Sequence, residues 1–173
     1  MKYISIFICI LAILGVLVLG ANSANQTNNE YLRIHIRANS NSAIDQNVKY
    51  QIRDSIIDAL VPIIANCETK REATLAIQNN LEMIETVADE ILRANNFSYV
   101  SHAKITSEEF PTRTYGDLTL ESGFYDALIL ELGTGAGDNW WCIVYPPLCF
   151  VNASPEQTQF KSRLIEIINN FFN

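Results

Sequence analysis

The sequence is poor in several things that would betray a chemical mechanism. It has 2 histidines in 173 residues, in no HxxxH arrangement, and its 4 cysteines include no CxxC pair. Metal sites gather three or four such ligands at characteristic spacings, so no metal and no other cofactor is expected. Glycine (7) and proline (5) are too few for a collagen-like or low-complexity chain. Positive charge is scarce as well: 12 Lys and Arg stand against 19 Asp and Glu, net −7, with no basic cluster. That argues against nucleic acid or an anionic lipid surface as partner. Apolar residues are plentiful, and 49% hydrophobic with 10% aromatic excludes a disordered chain. A domain of about 150 residues buries roughly 68–70% of its unfolded surface, enough for a core without staples.

The N-terminus reads as an export segment. Lys2 precedes a run from Ile4 to Leu19 broken only by Ser5 and Gly15. Its length falls between a signal-peptide core of roughly 7–15 residues and a membrane span of about 20. Ala21-Asn22-Ser23 offers small residues for a cut before Ala24. Residues 1–23 are therefore a signal peptide or, uncleaved, a membrane anchor through residues 4–19. Residues 24–30 form a polar tether, 31–153 a single α+β domain, and 154–173 an amphipathic C-terminal helix. All that follows the anchor is expected outside the cytoplasm, touching the membrane only through the N-terminal segment.

Periodicity then divides the domain. Leu32, Ile34 and Ile36 alternate with Arg33, His35 and Arg37, the pattern of a half-buried strand. Ser42 can cap a helix with Ile44, Val48, Ile52, Ile56 and Leu60 on one face, which Pro62 should kink or end. Thr69 and Glu72 form a capping box opening a second helix that runs to Asn95-Asn96. Its apolar face is Ala73, Ile77, Leu81, Ile84, Ala88 and Ile91. Strands are expected at Tyr99–Ile105, Tyr115–Leu120, Phe124–Leu132 and Trp140–Val144, with turns at Glu108–Pro111, Glu121–Gly123, Gly133–Asp138 and Pro146-Pro147. Short loops predict antiparallel hairpins. Ser154-Pro155-Glu156 opens a final helix with Phe160, Leu164, Ile167, Ile168 and Phe171 on one side. The order β-α-α, then an antiparallel β-meander and a short helix, gives an α+β fold with two helices on one face of a mixed or antiparallel sheet.

Candidate chemistry is thin. Gly133-Thr134-Gly135-Ala136-Gly137 is glycine-rich, but a phosphate cradle needs a helix after the glycines, and here a strand follows. A flexible hairpin loop is expected. His35 with Ser40 and Asp45, or His102 with Ser101 or Ser107, could be drawn as a Ser-His-Asp set, yet no nucleophile elbow accompanies either. His35 lies on the polar side of its strand and reads as a surface or hydrogen-bonding residue. Cys9 falls in the export segment, which leaves Cys67, Cys142 and Cys149. If the chain reverses at Pro146-Pro147, Cys142 and Cys149 could join as a disulfide; the alternative is two buried thiols packing as small hydrophobes. Cys67 would then be a thiol in the loop between the two helices. Trp140 and Trp141 must point to opposite faces of a strand. One can enter the core while the other serves as a binding anchor, unless a helix or loop covers that face too.

Three stretches together resemble the stage II sporulation protein R family of endospore-forming bacteria. They are Leu32 to Ser42 (LRIHIRANSNS) with Asp45-Gln46 and Lys49; Pro111 to Asp117 (PTRTYGD); and Asn139-Trp140-Trp141-Cys142 leading to Pro146-Pro147-Leu148-Cys149-Phe150. Asn41, where the family pattern has Asp, and Arg37, where an apolar residue is common, depart from it. The resemblance implies a signalling protein and not an enzyme, with no catalytic residues to carry over. Such a protein is exported from the forespore into the space between the two membranes. There it activates a membrane-embedded aspartic protease of the mother cell, which processes the sigma-E precursor. The contact surface is then expected in two places: the strand-to-helix turn with His35, Arg37, Asn39 and Asp45, and the sheet edge around Tyr115, Asp117, Asn139, Trp140 and Trp141. The alternative is that Asn39 and Asp117 only form turns and the tryptophans only fill the core. Two rival functions are a secreted hydrolase using His35 or His102, and a cell-envelope binding or scaffold protein.

Overall fold

The computed structural model describes residues 30–150 and 158–173. The expected export segment, the tether up to Asn29 and the expected cap at Ser154 to Glu156 lie outside these residues. Among the described residues no helix is long and apolar enough to cross a membrane.

The first alternating segment is strand β1 (Leu32–Arg37), and Ser42 caps helix α1 (Ala43–Ile64) by accepting the Asp45 amide. Helix α1 ends two residues past Pro62, which sits in the last turn, where its missing N–H costs a single bond. Its buried stripe is Val48, Ile52, Ile56 and Leu60. Ile44, expected on that stripe, is 68% exposed, because Asp45 is the first-turn residue that turns inward. Thr69 also caps its helix, accepting the Glu72 amide on Oγ1, while the Glu72 carboxylate reaches one residue further than a capping box and accepts the Glu68 amide at 2.7 Å. The helix it opens is two helices, α2 (Lys70–Gln78) and α3 (Leu81–Ala94). The break falls at Asn79-Asn80, where Asn80 Nδ2 bonds the Ala76 carbonyl at 2.8 Å; such local side-chain bonds compete with helix continuation.

The remaining strands are β2 (Ser101–Phe110), β3 (Arg113–Tyr115), β4 (Leu118–Leu120), β5 (Gly123–Leu132) and β6 (Asn139–Tyr145), followed by a 3₁₀ turn (Leu148–Phe150) and helix α4 (Thr158–Phe172). β2 runs through the expected turn at Glu108–Pro111 because its pairing with β5 continues to Phe110 opposite Gly123. The single strand expected at Tyr115–Leu120 is the hairpin β3–β4, reversed at Gly116-Asp117 with Gly116 at φ 61°.

The α+β fold and the mixed sheet are as expected, but β5 and β6 do not pair as a meander. The sheet order is β2-β5-β1-β6, with β1 inserted parallel to β5 and antiparallel to β6. A central strand is covered on both faces, so β1 is not the half-buried strand its alternation suggests. Leu32, Ile34 and Ile36 pack with α1, α2, α3 and α4 in the main core. The opposite face holds a second cluster of Tyr31, Phe110, Tyr125, Ala127, Ile129 and Ile143, roofed by Leu120 of the β3–β4 hairpin.

Candidate functional site

The residues singled out from the sequence converge because β1 and β6 are neighbours. His35 lies opposite Trp141 and Arg37 opposite Asn139. His35 and Arg37 of the first expected place therefore meet Trp141 and Asn139 of the second at the C-terminal end of β1.

On the hairpin face, polar side chains form a row across three strands. Arg37 bonds Glu131 at 2.6 Å and also pairs with Glu108; Lys104 reaches Glu131 at 3.1 Å. His35 Nδ1 faces Glu108 Oε2 at 3.3 Å. Of the two expected roles, surface or hydrogen-bonding residue, His35 takes the second: it is only 5% exposed, between the rings of Phe110 and Trp141 at 5.7 and 5.3 Å. Burial lowers its pKa and the Arg37 charge adds to this, while Glu108 and Asn139 act in the opposite direction. Glu131 is held below the usual carboxylate range: burial alone would raise it, but Lys104 and Arg37 outweigh burial.

One register step along β1, Arg33 is fully buried. Its guanidinium lies 4.1 Å from the Phe110 ring centre and 4.8 Å from that of Tyr125, and it donates to the Tyr115 hydroxyl at 2.7 Å. Its Nε and Nη1, like His35 Nε2 and Asn139 Oδ1, are buried without a hydrogen-bond partner among the described residues. Tyr115 thus joins this face through Arg33. Arg113 of the same hairpin lies 4.2 Å over the Trp141 ring. Asp117 stands apart, exposed in the hairpin turn. Trp140 is on the helix face, with Arg53 at 5.7 Å from its ring.

Asn39 and Asp45 meet at the end of β1 in a separate network. The buried Asp45 carboxylate accepts from Tyr99 at 2.6 Å, from Asn39 Nδ2 at 3.1 Å, and from the Ser40 hydroxyl. Burial would raise its pKa, but the hydrogen bonds from Ser40, Tyr99 and Asn39 win and hold it below the ordinary value. Asn39 Oδ1 also accepts the Thr134 amide at 3.0 Å, Asn41 Oδ1 accepts that of Asp138, and the Gly137 amide bonds the Ala38 carbonyl at 2.8 Å. The Gly133–Asp138 segment is accordingly not a free hairpin loop but a strap crossing the end of β1. Gly137 lies so close that an added Cβ would sit 2.3 Å from the Ser40 carbonyl oxygen. Lys49, buried in α1, ties the same strap by donating to the Asp138 carbonyl at 2.9 Å.

The Ser-His-Asp set drawn from the sequence does not assemble: Ser40 and Asp45 bond each other, while His35 faces Glu108. Among the described residues no three His, Cys, Asp or Glu side chains are grouped to hold a metal. A cleft of about 990 Å³ between α2 and α4 contains none of the predicted site residues. Cys142 and Cys149 are joined as a disulfide, with Cα atoms 5.9 Å apart, and Cys67 is a buried free thiol between α1 and α2. Sequence reasoning missed Arg33, Lys104, Glu108, Glu131 and Tyr99. Glu108 falls in an expected turn, and nothing local signals that it stands beside His35.

The sequence profile described as stage II sporulation protein R matches residues 28–155. The stage II sporulation protein R of Bacillus subtilis (strain 168) is 36% identical over 126 residues, covering 71% of this chain and 55% of that protein. The chain thus spans little more than half the length of that curated relative. No solved structure is significantly similar. With three quarters of its length matched, including both motif-bearing strands, the chain belongs to the stage II sporulation protein R family.

Proposed function

We propose that this chain is an exported sporulation signal that activates a membrane-embedded aspartic protease, which in turn processes the sigma-E precursor. Family membership carries the reading. The geometry supports it in one respect: some motif residues of β1 and β6 meet on the hairpin face, with Trp141, Arg113 and Asn139 beside the His35–Glu108–Arg37 row. Activation by binding requires that the chain favour the protease's active arrangement over its inactive one. A shift from 1:99 to 99:1 needs about 5.5 kcal/mol of such preference, within reach of a few well-buried aromatic and arginine anchors. Stabilising a competent protease dimer is the simplest route.

The test is co-expression in a non-sporulating host of the protease, a tagged sigma-E precursor and this chain with its export segment. Shortening of the precursor only when the chain is present and exported is the expected result. Unshortened precursor, with the chain folded outside the cytoplasm, would refute the activator role.

A further inference from the structure

The four-stranded sheet has two edges, and the chain treats them differently. Along β2, the outward amides of Ser101 and Ala103 are taken by Asp89 and Glu85 of α3, at 2.7 and 2.8 Å. The rest of that strand carries Lys104, Glu108 and Glu109, and charge along an edge discourages pairing with another strand. β6 has neither protection. Its 7 residues carry no charge, and among the described residues no side chain bonds the backbone of Asn139 to Cys142. Among the described residues, the 3₁₀ turn Leu148–Phe150, tied by the disulfide, packs beside its far end.

A half-buried tryptophan stands on each side of this open edge with an arginine against its ring, Arg113 on Trp141 and Arg53 on Trp140. Arg53 is paired with Asp54, whereas Arg113 has no carboxylate partner among the described residues. Unpaired backbone groups give affinity to an added strand, and pockets for alternate side chains give it specificity. We propose that β6 is a docking edge: an extended segment of a partner protein adds beside Asn139–Cys142 as a fifth strand. Its side chains straddle Trp140 and Trp141, and a carboxylate on it meets Arg113. The inference rests on the reading that this chain acts by binding a protein, and it adds where and how. A second copy is the poorer occupant. Pairing two β6 edges about a twofold axis would bring like arginines together and join two chains of net charge −7.

The test is amide hydrogen exchange on the full exported chain, alone and with the detergent-solubilised aspartic protease. Strand addition slows alternate amides within Asn139–Cys142 and leaves those of Ser101–Phe110 unchanged. Arg113→Glu then weakens binding by about tenfold or more, the scale of a lost interface charge pair, while Tm falls by no more than about 4 °C, the loss of one exposed cation–π contact. Binding with protection only on β2 or the helices would overturn the docking edge and leave the activator reading standing. Concentration-dependent protection of β6 in the chain alone, with a dimer in sedimentation, would overturn it in favour of a second copy. Absence of any binding would refute the activator reading and this proposal together.

Discussion

Replacing Asp45 by Asn tests whether the network at the end of β1 holds the strap in place. The wild-type carboxylate accepts from Asn39 and Ser40 on Oδ2 and from Tyr99 on Oδ1. Asparagine keeps one acceptor, for Tyr99, and turns an amide group toward the other two donors. Hydrogen bonds to a charged group contribute about 1.5–3 kcal/mol each; Asn39 and Ser40 are half-buried and can recruit water, so the lower end applies to both. The expected cost is about 3 kcal/mol at pH 7, which lowers Tm by roughly 6–12 °C for a chain of this size. Tyr99→Phe removes one bond and should cost about 1.5 kcal/mol, with the two changes coupled by about 0.5–3 kcal/mol because they share a partner. Urea unfolding followed by the fluorescence of Trp140 and Trp141 measures all three. The pH dependence has a definite sign. The folded pKa of Asp45 lies below its unfolded value of about 3.9, so its stabilisation is present above that pH and lost as pH falls through the folded pKa. Wild type and Asp45→Asn should therefore converge in acid. A variant within about 0.5 kcal/mol of wild type at pH 7, or a gap that persists undiminished to pH 2, would refute the reasoning.

Other perturbations follow from the same geometry. Arg33 is a buried cation stacked on aromatic rings with no carboxylate partner among the described residues, so Arg33→Met should cost less than Arg33→Lys, which keeps the charge and loses the stacking; a lower Tm for the methionine variant would contradict this. Gly137→Ala should destabilise by about 2 kcal/mol or more by forcing the strap off Ser40. Gly116→Ala, at φ 61° in open space, should cost only about 1–2 kcal/mol, and chemical denaturation ranks the two. His35 has its folded pKa below the unfolded value of about 6.5, so stability should decline as pH falls below that point. His35→Gln should remove this decline between pH 6.5 and 5, leaving only the acid limb of the carboxylates; an unaltered pH profile would show that His35 does not cause it. Reducing the Cys142–Cys149 disulfide, which closes a loop of sequence separation 7, should cost about 2–3 kcal/mol, seen as a lower Tm with dithiothreitol that Cys142→Ser abolishes.

Local signals in the sequence served the helices and strand identities well. The caps at Ser42 and Thr69 and the stripe from Val48 to Leu60 each depend on residues within one or two turns, and all three are found. What the sequence hid was long-range. Nothing near Leu32–Arg37 announces that the strand sits between β5 and β6, so the alternation reads as a half-buried strand although its polar side faces Phe110, Tyr125 and Trp141. The same insertion concealed that His35 and Arg37 would stand beside Trp141 and Asn139. The Asn79-Asn80 break was locally visible as two poor helix formers, but the continuous apolar stripe outweighed it. At the site, residue types pointed to His35 and the tryptophans, while Arg33 and Glu108 became meaningful only once β1, β2 and the hairpin were assembled.

The placement of β1 has a consequence for when the chain can fold. Its contacts with β5 already span large separations, as in Arg37 with Glu131, 94 residues apart, and those with β6 span more. Closing loops of that size before any sheet forms slows folding. No four-stranded sheet can exist until the chain has been made through Tyr145. For a chain whose proposed work lies across a membrane, this ordering is useful. On the proposed export route β1 would cross first yet gain its two neighbours only after β5 and β6 had followed, so the polypeptide would stay threadable during passage and become compact only once its far strand had arrived.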